Sequence, residues 1–258
     1  MSKIQTYTRY LLDFLKHGDF KSVIASVKYV LNKSSHGNDR IIQTSIGTFF
    51  CRKNTNDFQF ANYYYEWGVK RFILNKKNEF TTFIDAGSCV GDYCILLAKL
   101  GKQCFAIEPV PDNIKIIRNN LELNNLQNKV IVLPYGLGDD DYFSSFTFDP
   151  INTGASRVNK IQKQEAGKVE IRKLDTLIKE MHIDQKETIL LKLDIEGMEA
   201  EAIRGAYEFL KYYPNITLII EDKHSGRKPI NDALAEIAVF EFGEVDEFNM
   251  YAKKIRNY

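Results

Sequence analysis

The sequence predicts an α/β fold: a doubly wound, mostly parallel, Rossmann-like sheet of seven strands with an antiparallel C-terminal hairpin and an N-terminal helical cap. Two observations predict it. From Phe80 onward, short runs rich in Val, Ile and Leu alternate with amphipathic helical segments. Such continuous apolar runs are typical of strands buried on both faces of a parallel sheet. Most of the runs also end at glycine or an acidic residue, as binding edges of open sheets do.

The first 78 residues lack this alternation. Apolar residues at helical spacing predict two amphipathic helices within residues 5–33, interrupted at Gly18. The segment IIQTSIGTFFCR alternates around Gly47 and predicts a β hairpin. The aromatic-rich segment Phe60–Leu74 predicts a further helix, whose aromatic stripe we expect to pack on the rest of the chain. We therefore expect a cap over residues 1–78 and the α/β domain over residues 79–258.

The second part predicts five core strands, each followed by a polar or glycine-containing end. They are FTTFIDAG, KQCFAIEP, KVIVLPYGLGD, TILLKLDIEG and NITLIIED. The segment KVEIRKLDTLIKEM predicts an additional strand and helix, and FEFGEVDEFNMYAKK predicts a hairpin at one edge of the sheet. Residues 142–168 have no strong pattern. We expect an irregular excursion there, equally suited to a rim over a substrate and to a plain surface loop.

Composition excludes several classes of protein. The 35 basic and 34 acidic residues give a net charge of +1, so no global field favours nucleic acid or an anionic membrane, although local basic patches stay possible. No apolar run is long enough to span a bilayer, and the N-terminus does not resemble a signal peptide. The four cysteines form no CxxC pair, which favours reduced thiols in a cytoplasmic protein.

The turn after the first core strand, GSCVG, discriminates between two kinds of ligand. A dinucleotide turn reads G-x-G-x-x-G, and here Cys89 stands where the middle glycine would be, between Gly87 and Gly91. Asp85 precedes the turn and would oppose a pyrophosphate. Its charge favours instead a ligand with a cationic group, such as S-adenosylmethionine. Glu108, after the second strand, suits a ribose in either case.

These positions define the predicted cofactor site. Asp139, after the third strand, is placed to accept a hydrogen bond from an adenine amino group. The full predicted set is Asp85, Gly87, Ser88, Cys89, Gly91, Glu108, Pro109, Gly138 and Asp139.

The last two core strands carry the candidate catalytic residues. Lys192, Asp194 and Glu196 alternate, so we expect all three side chains on one face, where they would be costly unless they line a cleft or pair with each other. His224 is the only histidine at a strand end and is a candidate general base, with Asp194 and Glu196 as alternatives. Asp194 with Glu221 or Asp222 would suit magnesium, which stays an open hypothesis; the metal ligands are unknown.

The motifs FIDAGSCVGDYC, AIEPVPDNIKII, VLPYGLGD, LLKLDIEGMEAEAIRGA and IIEDKH together resemble, in order, those of FkbM-type methyltransferases. The resemblance covers residues 80–258. Ser88 and Cys89 replace the Ala-Asn pair usual in that family. The resemblance implies a class I, S-adenosylmethionine-dependent enzyme, typically an O-methyltransferase. We expect a hydroxyl of a glycan or small molecule as the acceptor, because the neutral net charge and the lack of a basic stripe disfavour nucleic acid. A nicotinamide-dependent oxidoreductase and a non-catalytic cofactor-binding protein remain alternatives. The oligomeric state is open.

Overall fold

The computed structural model describes residues 3–32, 35, 37–147, 152–155, 157–159 and 168–258. The N-terminal segment contains four helices and a hairpin. They are α1 (Lys3–Lys16), α2 (Phe20–Asn32), β1 (Arg40–Gln43), β2 (Thr48–Cys51), α3 (Asp57–Phe60) and α4 (Trp67–Asn75). The two predicted helices and the antiparallel hairpin β1–β2 are confirmed. No helix among the described residues has the length and apolar character needed to cross a bilayer.

The prediction of one helix over Phe60–Leu74 is wrong. The chain leaves α3 at Phe60 and re-enters a helix only at Trp67. A buried ammonium stabilises the break: Lys70 Nζ donates to the carbonyl oxygens of Asn62 (3.4 Å) and Tyr65 (2.9 Å). In a continuous helix the Tyr65 carbonyl would accept a backbone amide instead. Glu66, at φ = 49°, then starts α4 in the left-handed conformation.

The remaining elements alternate along the chain. They are β3 (Thr82–Ala86), α5 (Asp92–Lys99), β4 (Gln103–Ile107), α6 (Pro111–Leu123), β5 (Val130–Leu133), β6 (Gly136–Leu137), β7 (Tyr142–Thr147), β8 (Arg157–Asn159), β9 (Lys168–Arg172), α7 (Leu174–Met181), β10 (Ile189–Leu193), α8 (Glu199–Arg204), α9 (Tyr207–Tyr212), β11 (Ile216–Glu221), α10 (Arg227–Ala235), β12 (Val239–Glu244) and β13 (Asn249–Arg256). One turn of 3₁₀ helix, Thr153–Ala155, lies between β7 and β8.

The central sheet has seven strands in the order β12-β13-β11-β10-β3-β4-β5, which confirms the predicted fold class. The five strands from β11 to β5 pair in parallel and are the parallel strands of the sheet. Strands β13 and β12 add an antiparallel edge beside β11. The chain runs outward from β3 to β5 and then returns to place β10 on the other side of β3. The switch point of this sheet therefore lies between β3 and β10.

Adjacent residues of the parallel strands pack into two hydrophobic cores, one on each face of the sheet. Phe83 and Leu190 pack with the N-terminal residues Phe14, Phe49 and Phe58 on one face of the sheet. Ile84 and Leu191 pack with α7, α8, α9 and α10 on the other face. Because both faces are covered, the strands read as continuous apolar runs. The N-terminal segment shares a core with the sheet, and a domain boundary at residue 78 stays a prediction.

The prediction of an irregular excursion over residues 142–168 is wrong for the described part. Strands β7 and β8 lie there, and together with β6, before the segment, and β9, at its end, they form a second sheet in the order β6-β9-β7-β8. The predicted third strand also divides, because β5 ends at Leu133 and β6 pairs with β9 in this second sheet. Strand β7 pairs antiparallel with β9, which is distant in sequence. Such strands depend on tertiary contacts, and the local sequence pattern therefore predicts them poorly. Residues 148–151, 156 and 160–167 of the predicted excursion lie outside the described residues.

Candidate active site

A cleft opens at the carboxyl edge of the central sheet, across the switch point between β3 and β10. Its lining comes from the ends of the five parallel strands, from the segment before α4 and from the 3₁₀ turn. The lining residues are Phe60, Tyr65, Glu66, Gly87, Ser88, Cys89, Asp92, Tyr93, Ile107, Glu108, Pro109, Asn113, Tyr135, Gly136, Leu137, Asn152, Thr153, Gly154, Lys192, Asp194, Ile195, Glu196, Met198, Glu221 and Lys223.

The turn between β3 and α5 forms the floor of the cleft. Its two glycines have positive φ angles, 86° at Gly87 and 81° at Gly91. A Cβ atom on Gly87 would collide with the carbonyl oxygen of Asp194, so this turn and the end of β10 touch backbone to backbone. The amides of Gly87 and Ser88 donate to the carbonyl oxygen of Ile107, at 3.0 and 3.3 Å. The predicted turn is therefore rigidly seated between β4 and β10.

Cys89 occupies the left-handed region at φ = 49° and lines the cleft. Its thiol lies 3.6 Å from the hydroxyl of Thr153 and packs against Phe60. Burial raises the pKa of this thiol well above its ordinary value, and the charges of Glu108 and Asp57 raise it further. Cys89 is thus a protonated wall residue, unsuited to act as a nucleophile.

Glu108 follows β4 and is 4% exposed. One carboxylate oxygen accepts the amide of Cys89 and the other accepts the amide of Val110, each at 2.9 Å. Burial raises the pKa of Glu108 to about 7, although both amides favour the ionised form. Two backbone donors hold the carboxylate at the cleft, and each oxygen keeps a lone pair for a ligand hydroxyl.

Asp85, at the end of β3, is 1% exposed and lies behind the lining of the cleft. The ammonium of Lys192 stands beside it, 4.0 Å from Asp85 Oδ1 and 2.8 Å from Asp194 Oδ2. Burial raises the pKa of Asp85 to about 6, and Lys192 opposes that rise. Burial alone would lower the pKa of Lys192, but the carboxylates of Asp194, Asp85 and Glu66 outweigh it and raise the pKa. Lys192 is thus a permanent cation between two acids.

The turn after β10 separates the candidate catalytic residues. β10 ends at Leu193, and Glu196 has φ = 57°, so the predicted alternation stops at Asp194. The buried carboxylate of Glu199 fixes this turn by accepting the amides of Ile195 and Gly197, at 3.0 and 3.2 Å. Lys192 and Asp194 pair with each other, whereas Glu196 turns toward His224.

His224 lies after β11, just beyond the lining of the cleft. Its Nε2 is 3.2 Å from Glu196 Oε2, and the imidazole is 23% exposed. Ligand atoms of Glu196, Glu221 and His224 all lie within 4.8 Å of one another. Burial, followed by the charges of Asp194, Glu196 and Glu199, raises the pKa of Glu221 to about 8. A histidine held by one carboxylate beside a second carboxyl group is a candidate for acid–base chemistry.

Three predicted residues lie away from the cleft lining. Gly138 donates its amide to the carbonyl of Arg172 within the second sheet, and the Asp139 carboxylate lies 3.9 Å from Arg204. Asp222 pairs with Arg227. At the end of β5 the lining is formed instead by Tyr135, Gly136 and Leu137.

Sequence reasoning missed two groups of lining residues. Glu66, from the segment that was predicted to be helical, accepts a hydrogen bond from the Tyr93 hydroxyl at 2.8 Å. Thr153, in the predicted excursion, donates to Asp57 Oδ1 at 2.8 Å. Neither position carries a motif, because each reaches the cleft only through tertiary contacts. The available signals were the run of aromatic residues before Glu66 and the weak pattern of residues 142–168, for which a rim over a substrate was one expectation.

The strand order and the position of this cleft define a class of protein: Rossmann-like α/β proteins with a binding site at the switch point of the sheet. The model of the methyltransferase FkbM domain matches residues 85–255. The chain belongs to the FkbM methyltransferase family, as its motifs predicted.

Several known proteins are similar to this chain. Methyltransferase sdnD of Sordaria araneosa is 26% identical over 185 residues, which cover 59% of this chain and 71% of sdnD. Methyltransferase 1 of Beauveria bassiana is 27% identical over 143 residues, covering 47% of this chain and 57% of that protein. The crystal structure of methyltransferase FkbM from Methylobacillus flagellatus KT has a TM-score of 0.48 and 18% identity, covering 67% of this chain and 44% of that one. The chain thus spans less than two thirds of the latter two proteins.

Proposed function

We propose that this chain transfers the methyl group of S-adenosylmethionine to a hydroxyl group on a glycan or small molecule. One observation carries the proposal. A carboxylate that lines the cleft, Glu108, is oriented by two amides, and a carboxylate-paired histidine, His224, lies after β11 just beyond the lining. The first suits a ribose and the second suits a hydroxyl that must lose its proton.

The residues of the cleft fit the cofactor. Gly87 and Gly91 keep the turn open, since a side chain at Gly87 would collide with Asp194. We assign the cradle to Gly87, Ser88, Cys89 and Gly91, and the ribose hydroxyls to Glu108. Pro109 would flank the adenine.

Three other predicted cofactor residues are treated differently. Asp85 Oδ1 is buried without a hydrogen-bond partner, and we assign it to the cationic methionine end of the cofactor. We do not carry the adenine contact of Asp139 forward, nor the cofactor role of Gly138, because Asp139 lies beside Arg204 and Gly138 bonds within the second sheet.

S-adenosylmethionine supplies a methyl group on a sulfonium, so that the S–CH₃ bond breaks as the acceptor O–CH₃ bond forms and S-adenosylhomocysteine leaves. The chain contributes positioning and proton removal. We propose that the His224 imidazole accepts the hydroxyl proton and that Glu196, 3.2 Å from its Nε2, stabilises the resulting imidazolium. Lys192, Asp194 and Glu221 would hold the acceptor by hydrogen bonds. The balanced charges of the chain disfavour a nucleic-acid acceptor.

A mutational series tests this function. The His224→Ala variant is expected to bind S-adenosylhomocysteine within about twofold of the wild type, measured by calorimetry, and to lose methyl transfer by about 100-fold or more. His224→Asn, which keeps a polar side chain, is the matched control for structure and should be equally slow. Transfer is measured with labelled S-adenosylmethionine against a panel of glycans and small-molecule alcohols. Unchanged transfer by both variants would contradict the proposed base.

The same assay separates the other candidates. Magnesium dependence, which Glu196, Glu221 and His224 could support, would appear as activity lost on chelation and restored by magnesium. Binding of a nicotinamide cofactor without binding of S-adenosylmethionine would favour an oxidoreductase. Cofactor binding with no transfer to any acceptor would favour a non-catalytic role. Four buried free cysteines support a cytoplasmic location, which we also propose.

A further inference from the structure

Helix α2 carries its apolar stripe on the outside of the molecule. Residues at spacings of four, three and four form this outward stripe, which is one face of a helix. Its members and their exposed fractions are Phe20 (66%), Ile24 (55%), Val27 (52%) and Leu31 (78%). Together they expose a continuous apolar surface of the kind that marks an interaction site.

The opposite face of α2 is the one that packs on the protein, and its fully buried residues are small, with Val23 and Tyr29 half-buried beside them. Ser22, Ala25 and Ser26 are all buried. The Ser26 hydroxyl bonds to the Ser22 carbonyl at 2.7 Å, and Ser22 also bonds to Arg40. A helix that served only to cover the core would be turned the other way, because burial of the larger apolar side chains is the more favourable.

Helix α1 extends this surface. Ile4, Tyr7, Leu12 and Leu15 are exposed, and Tyr7 and Leu11 line a groove together with Val27, Val30 and Leu31 of α2. The groove also contains Trp67, which is the single tryptophan of the chain. The two helices therefore present one joint apolar face.

The charges on this pair of helices are segregated. Both acidic residues turn inward: Asp13 accepts from the amides of Ser45 and Tyr63, and Asp19 pairs with Arg40. The exposed charged residues of the pair are cationic, namely Lys3, Arg9, Lys16, Lys21 and Lys28. Glu247, at one end of the groove, pairs with Lys3 at 3.3 Å. The apolar face thus has a cationic border.

We propose that the α1–α2 face binds the surface of an anionic lipid bilayer. Exposed apolar side chains bordered by lysine and arginine are the features that let a helix lie in the interface between lipid headgroups and acyl chains. Each basic residue near an anionic surface adds to the attraction. The inference concerns a surface separate from the cleft, so it does not depend on the acceptor.

Charge favours a bilayer over a second copy of this chain. A symmetric dimer through the same face would bring two cationic borders together, and like charges across an interface oppose association. The acidic residues of the two helices are already engaged within the molecule. An anionic surface supplies the missing countercharge.

Vesicle binding by the 258-residue protein tests the proposal. Co-sedimentation is measured with vesicles of phosphatidylcholine alone and with vesicles containing phosphatidylglycerol, at low and high salt, and the fluorescence of Trp67 reports on the groove. We expect binding to the anionic vesicles, weak binding to the neutral ones, and release as salt is raised.

Two variants and two matched controls locate the surface. Lys21→Ala/Lys28→Ala should weaken binding about 25-fold, at about fivefold for each lysine, and Phe20→Ser/Ile24→Ser at least about tenfold. Lys115→Ala/Lys228→Ala removes two exposed lysines elsewhere, and Phe143→Ser removes an exposed aromatic ring elsewhere; both should bind like the wild type. Circular dichroism and thermal unfolding check that each variant is folded.

The proposal is overturned if no vesicle binds, if neutral and anionic vesicles bind equally, or if the variants bind as tightly as their controls. It is also overturned if sedimentation shows a dimer that Phe20→Ser/Ile24→Ser dissociates while vesicles leave the wild type unbound. In that case the face belongs to a second copy of the chain.

Discussion

Replacement of Gly87 by alanine should destabilise the protein far more than the same change at Gly91. Both glycines have φ above 80°, so either alanine meets a left-handed backbone that costs about 1–2 kcal/mol. At Gly91 the nearest atom to a new Cβ is Ile117 Cγ2 at 3.3 Å, at the end of a side chain that can shift. At Gly87 the Cβ would collide with the carbonyl oxygen of Asp194 and lie 2.9 Å from its carbonyl carbon, and backbone cannot yield as cheaply.

That backbone collision adds about 1–3 kcal/mol, by analogy with overpacked cores. We therefore expect Gly87→Ala to lose about 2–5 kcal/mol of unfolding free energy and Gly91→Ala about 1–2 kcal/mol. For a chain of this size each kcal/mol lowers the Tm by about 2–4 °C. Urea and thermal unfolding of the two variants, side by side, measure the difference. Losses that agree within about 0.5 kcal/mol would refute the close approach of this turn to β10.

Three other predictions follow from single side chains. The pKa of Glu108 is raised to about 7, and the ribose hydroxyls need the ionised carboxylate. The affinity for S-adenosylhomocysteine should therefore fall about tenfold per pH unit below 7. A constant affinity from about pH 5.5 to 8.5, measured by calorimetry, would argue against this. The folded pKa of Glu221, about 8, lies above its ordinary value of 4.5, so the stability linked to this group is present at low pH and is lost as pH rises through 8. Glu221→Gln should therefore raise the Tm relative to wild type more at pH 9 than at pH 6, and an equal difference at both would contradict the shift. Thr153→Val removes a buried hydrogen bond to the Asp57 carboxylate and should cost about 1.5–3 kcal/mol in urea unfolding, whereas Thr81→Val, which loses an exposed bond to Glu187, should cost little; equal costs would count against the role of Thr153.

The features that were predicted well from sequence are those determined by residues that are adjacent in the chain. The parallel strands of the central sheet are covered on both faces, so their residues are mostly apolar. The turn at Gly87 needs an angle that glycine adopts freely. The acid after β4 also follows from strand order alone. Each of these features depends on residues that are adjacent in the chain.

The features that sequence did not predict depend on partners distant in the chain. Glu66 faces the cleft because a buried lysine four residues later binds the carbonyls that would have continued the helix. Thr153 reaches the cleft through Asp57, 96 residues earlier. Asp139 follows its strand as predicted, but β6 joins the second sheet and carries it toward Arg204. The position of a residue after a strand therefore does not predict that it lines the cleft when the next strand belongs to another sheet.

The buried ammonium of Lys70 limits which chimeras of this protein and its relatives can fold. It is wholly buried, holds the carbonyls of the segment before α4, and pairs with Asp92 of α5 at 2.9 Å. A chimera that took its first 78 residues from another protein without a matching lysine would leave Asp92 as a buried, uncompensated charge. The N-terminal segment and the turn that follows β3 are therefore coupled through this buried ion pair, although the family model matches only residues 85–255.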